Sequence, residues 1–91
     1  MKRLTAKEEE LMVFFWKKGP LFVKELLENY DEPKPHFNTL STIVRGLEEK
    51  GFLSHNSFGN SYQYYAVIDE EAYRTGTLKS VVSKYFNNSY L

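Results

Sequence analysis

The period of the apolar residues changes at Gly51, and this change constrains the fold more than any other feature of the chain. Before it, Leu40, Ile43, Val44 and Leu47 recur at i, i+3, i+4 and i+7, which predicts an amphipathic helix from about Phe37 to Lys50. After it, Phe52-Leu53-Ser54-His55 leads into Asn56-Ser57-Phe58-Gly59-Asn60, which has turn chemistry. Tyr62, Tyr64 and Ala66 then alternate with Gln63 and Tyr65, as a returning strand does. A helix that ends on glycine and passes at once into a β-hairpin leaves few architectures for 91 residues, a length that makes one domain.

Two shorter helices are expected upstream. Thr5-Ala6-Lys7-Glu8 has the form of a capping box, so a first helix should run from about Ala6 to Lys18. Glu8, Glu9 and Glu10 near its start and Lys17-Lys18 at its end suit the helix dipole, and Gly19-Pro20 stops it. Met12-Val13-Phe14-Phe15-Trp16 is apolar around most of the circumference. Such a helix is covered on more than one side, here by the core and by either a second element or a partner subunit. Leu21-Phe22-Val23 reads as a brief strand or as the lead into a helix. Lys24 to Tyr30 reads as a second helix, which Pro33-Lys34-Pro35 cannot continue. Downstream, Asp69 reads as the N-cap of a last helix, along which Tyr73, Leu78, Val81, Val82 and Tyr85 share an apolar face.

Composition removes several functional classes. There is no cysteine, and His36 and His55 are the only histidines, so a structural zinc site is not expected. No glycine-rich phosphate loop is present, and the carboxylates fall at helix ends or on polar faces. Neither an enzyme nor a cofactor is therefore expected. No apolar run approaches the ~20 residues of a membrane helix, which argues against membrane insertion. The start, Met1-Lys2-Arg3-Leu4-Thr5-Ala6-Lys7, lacks a signal-peptide stretch, so a cytoplasmic location is expected.

The predicted order is helix, helix, helix, hairpin, helix. It implies a mainly α fold with a small β-hairpin: a winged helix-turn-helix with a three-helix core, a two-stranded wing and a C-terminal helix. In such folds the second helix of the pair enters the major groove of double-stranded DNA. Here that helix carries Asn38, Ser41, Thr42, Arg45 and Glu49 opposite its apolar stripe. Asn38, Ser41 and Thr42 can donate and accept hydrogen bonds, and Arg45 can bind guanine bidentately or grip a phosphate. Thr39 and Lys50, to the sides, suit phosphate contacts, and Asn60 stands in the wing. A polar helix face is usually just solvated. Serine and threonine are mediocre helix formers, however, and solvent gives no reason to cluster them here. A formal net charge of zero weighs against DNA binding, which rests largely on phosphate neutralisation. The competing reading is a winged-helix module that binds protein through Phe58, Tyr62, Tyr64 and Tyr65, against a background in which such tyrosines simply pack a half-buried sheet.

At this point the residues carry a resemblance. Leu4-Thr5 through Trp16-Lys17-Lys18-Gly19-Pro20-Leu21 and Val23-Lys24-Glu25-Leu26 resemble the start of the penicillinase and methicillin-resistance repressor family (BlaI/MecI type). The run from Asn38 to Leu53 is similar to that family's recognition helix. Gly59 to Ile68 is similar to its wing, and Lys84-Tyr85-Phe86-Asn87-Asn88-Ser89 to its tail. The resemblance spans nearly the whole chain. It implies a homodimeric repressor on a palindromic operator, released through a membrane sensor-protease pathway. It also implies a division into residues 1–68, the DNA-binding domain, and 69–91, the incomplete start of a C-terminal dimerisation region. Leu78, Val81, Val82 and Tyr85 are the dimerisation candidates; part of that face is expected to close on the first helix of the same chain and the remainder to start the dimer interface. Three departures stand out: Gly46 where the family has arginine, with Arg45 one place earlier; Asn60 in place of a wing arginine; and Phe22 where a capping threonine is common. They imply weaker nonspecific DNA binding or a different operator.

Overall fold

The structure is a computed structural model and describes residues 3–76. Its elements are α1 (Ala6–Lys18), β1 (Leu21–Phe22), α2 (Val23–Glu28), α3 (Phe37–Glu49), β2 (Leu53–Phe58), β3 (Ser61–Ala66) and α4 (Glu70–Thr75). The expected winged helix-turn-helix is present.

Local chemistry sets the helix ends. The Thr5 hydroxyl accepts from the Glu8 amide at 3.2 Å, and the Thr5 amide donates to the Glu8 carboxylate at 2.9 Å, completing the capping box. Gly19, with φ 85°, closes α1 by donating to the Phe15 carbonyl. The second helix ends two residues earlier than its apolar spacing predicts. Asn29 and Tyr30 turn out of it, and the Lys34 ammonium donates to the carbonyls of Leu27, Glu28 and Tyr30. A cation from the proline segment thus satisfies the carbonyls that a helix leaves unpaired at its C-terminus. Asp69 caps α4 as expected, accepting from the Ala72 amide at 2.8 Å. That helix is short, because Gly76 closes it in the left-handed conformation. Leu78, Val81, Val82 and Tyr85 lie outside the described residues.

The two-stranded wing, β2–β3, is extended into a three-stranded sheet by β1. Leu21 and Phe22 pair with Tyr64 and Gln63, giving an antiparallel sheet of order β1-β3-β2. β2 and β3 pair from Leu53↔Ala66 to Phe58↔Ser61 around a two-residue turn. Gly59 takes the first central position of that turn with φ 61°, the left-handed value a II′ hairpin requires there.

The core lies where α1, α3 and the base of the sheet meet. Leu11, Met12 and Phe15 of α1, Leu26 of α2, and Leu40, Val44 and Leu47 of α3 are buried with Phe52, Leu53, Tyr64 and Ile68. Two further flanks of α1, at Phe14 and at Trp16, are packed by the same chain. Phe14 packs on Tyr30 at 5.0 Å between ring centroids. Trp16 packs on Tyr73 at 5.7 Å and donates its indole N–H to the Ile68 carbonyl at 2.9 Å. Arg74 lies over the Trp16 and Tyr73 rings and pairs with Glu9, fixing α4 to α1.

Candidate nucleic-acid interface

At about 100° per residue, α3 sorts its side chains into three sectors. Leu40, Val44 and Leu47 enter the core. Asn38, Thr42, Arg45 and Glu49 point to solvent and are exposed. Phe37, Ser41 and Glu48 turn toward the sheet and the start of α2. Between this third sector and the wing lies an open cleft of about 500 Å³. Its walls include Lys24, Phe37, Ser41, Arg45, Phe58 and Tyr62, with Asn60 and Ser61 at the rim.

The predicted contact residues therefore divide. Asn38, Ser41, Thr42 and Arg45 form one continuous surface, and Asn60 stands across the cleft from it. Thr39 faces the other way, into a hollow lined by Lys7, Glu10 and Tyr30. Lys50 stands apart from the group. It lies about 140° around the helix from Arg45, and its ammonium sits 2.8 Å from both carboxylate oxygens of Glu8. That partner competes with any phosphate. Thr42 is also more restricted than its residue type suggests, because its hydroxyl donates to the Asn38 carbonyl at 3.0 Å. It is left with acceptor lone pairs and a methyl group.

Three features of the site go beyond the sequence reading. Lys24, at the start of α2, is the second cation of the cleft, and the neighbouring Glu25 carboxylate accepts from the Phe22 amide at 2.9 Å. Phe37, at the first position of α3, is an exposed ring beside Ser41. The wing is clamped to α3 by His55, whose Nδ1 lies 2.7 Å from the Glu48 carboxylate and whose ring stacks on Tyr62 at 4.3 Å. Burial pushes the Tyr64 hydroxyl above the usual tyrosine range. Glu48 adds to the shift and Arg45 opposes it, so both α3 charges act across the base of the cleft.

The penicillinase repressor family model matches residues 4–91. The chain belongs to the penicillinase repressor family. This is a family of transcriptional repressors rather than of enzymes. Among curated relatives, the methicillin resistance regulatory protein MecI of Staphylococcus aureus (strain N315) is 23% identical over 88 residues, covering 96% of this chain and 72% of the relative. The protein of the same name from Staphylococcus epidermidis gives the same figures. That of Mammaliicoccus sciuri is 22% identical over 88 residues. Within the penicillinase repressor frame, α2 and α3 form the helix-turn-helix and β2–β3 the wing. No helix among the described residues is long and apolar enough to cross a membrane.

Proposed function

We propose that the chain represses transcription by binding double-stranded operator DNA as a homodimer, with α3 in the major groove of each half of a palindrome. One observation carries the reading: exposed Asn38, Thr42 and Arg45, with half-buried Ser41 beside them, form a hydrogen-bonding face that borders an open cleft to the wing. A face of this kind offers base-edge partners. The cleft beside it has the form of a slot for the phosphodiester ridge between the two DNA grooves, with Lys24 and Arg45 as its cations. Residues from 69 onward, with Leu78, Val81, Val82 and Tyr85, would hold two recognition helices about 34–36 Å apart, one turn of DNA. Such a protein works in the cytoplasm, where its operator is. Selection of binding sites from random duplex DNA, followed by mobility-shift titration, tests the proposal. The expected product is a palindrome bound two chains to one duplex. Recovery of no sequence, or of sequences without symmetry, would refute it. The rings bordering the cleft favour a second reading, a protein-binding module, under which no duplex would be selected.

A further inference from the structure

The wing is chemically unusual for a surface laid along DNA. Residues 53–66 contain no lysine or arginine, and their one histidine is held by Glu48. The wing therefore brings no free cation to a phosphate. It brings rings instead. The exposed large apolar side chains of the described residues are Phe37, Phe58 and Tyr62, and all three border the one cleft beside Ser41 and Arg45. Phe58 is the most exposed of them, at 55%, and immediately precedes the Gly59-Asn60 turn. Among the described residues its ring partner is Phe22, with centroids 5.8 Å apart and planes at 67°, which braces it from one side while more than half of the side chain stays exposed.

We propose that Phe58 is an apolar wedge that the wing inserts into the minor groove, partly unstacking one base step and bending the operator toward the major groove. The inference rests on the DNA-binding reading above. Side chains of this class enter the minor groove in this way and kink the duplex by roughly 20–90°. Pyrimidine–purine steps unstack most easily, so one such step is expected under the wing in the selected operator. Tyr62 and Phe37 line the route by which a sugar-phosphate strand would pass. DNA is favoured over a protein ligand because the rings are continuous with the polar face of α3 and share their cleft with Lys24 and Arg45.

The test uses the full chain and the duplex recovered by selection, labelled at both ends for energy transfer and carrying 2-aminopurine at the flexible step. The parent should shorten the end-to-end distance and raise the 2-aminopurine emission. Phe58→Ala should abolish both signals and weaken binding about tenfold or more, with an unchanged dependence on salt because no phosphate contact is lost. Phe58→Leu, which keeps an apolar wedge, should restore most of the bend. Phe22→Ala, which removes the brace, should reduce it. Thermal unfolding of each variant verifies that the wing is intact. A duplex that is bound but stays straight overturns the wedge and leaves the repressor reading standing. The same holds if Phe58→Ala binds and bends as the parent does. Failure to select any duplex overturns both, and then the rings are left as a protein-binding face.

Discussion

Glu8→Gln separates two roles that one carboxylate performs. Glutamine at the third helical position still completes a capping box, so the contact to the Thr5 amide survives. The charge set against Lys50 does not. Exposed ion pairs contribute up to about 1 kcal/mol, and breaking a fully buried one costs about 3–5 kcal/mol. Here the Lys50 and Glu8 side chains are 27% and 14% exposed, between those limits. We expect a loss of about 1–2 kcal/mol, which lowers the melting temperature of a domain this size by roughly 5–15 °C. The pH dependence has a definite sign. Burial by itself raises the Glu8 carboxyl, but the hydrogen bonds from Lys50 and Thr5 outweigh it and hold the group below its ordinary 4.5. A carboxyl depressed in the folded state stabilises above its unfolded pKa, and that contribution disappears as pH falls through the folded value. The gap between parent and variant should thus be full at pH 7 and begin to close below about pH 4.5. Circular dichroism melts across this range, with Lys50→Met completing a double-mutant cycle, measure it. Equal melting temperatures at pH 7, or a gap that does not narrow as the pH falls, would refute the reasoning. Lys50→Met should also leave operator affinity intact. A loss as large as that of Arg45→Ala would return Lys50 to the interface.

Arg45→Ala should weaken binding to the selected operator by roughly 1–3 kcal/mol in a mobility-shift titration, and equal affinity would remove Arg45 from the site. Thr42→Ala should relax base preference more than it lowers nonspecific affinity, because the hydroxyl keeps only its acceptor side and its methyl group; repeated site selection with the variant reads this out. Gly46→Ala should raise stability by about 0.5–1 kcal/mol in chemical denaturation, since glycine in a helix interior costs about that much and a Cβ there meets nothing within 4 Å. A destabilised Gly46→Ala would mean that the position is crowded.

What could be read from the sequence was local. The Thr5–Glu8 and Asp69 caps, the apolar stripe of α3 and the turn at Gly59 each depend on residues within one or two turns, and each is where its spacing predicts. The polar face of α3 follows from the same periodicity. What could not be read depends on contacts across the chain. β1 is two residues long and exists only because β3 offers it a pairing edge about forty positions away. Lys50 reads as a phosphate ligand from its position, and nothing local shows that Glu8, 42 residues earlier, sits beside it as a partner. Lys34 reads as part of a helix break, and only the folded turn brings its ammonium to the end of α2. Phe37 and Lys24 flank elements whose cores were legible, but nothing in the local pattern says that a cleft joins them.

The pairing of β1 with β3 also has a mechanical consequence. A hairpin rooted only at its two ends is a flexible arm, and load applied at its tip is dissipated by rotation at the root. Here β3, the central strand of the sheet, is sutured to the segment between α1 and α2, and His55 anchors β2 to α3. The hairpin, the segment that leads into α2 and the recognition helix thus make one stiff lever, with its fulcrum at Leu21 and Phe22. Torque at the tip passes into the helical body instead of being lost in a hinge.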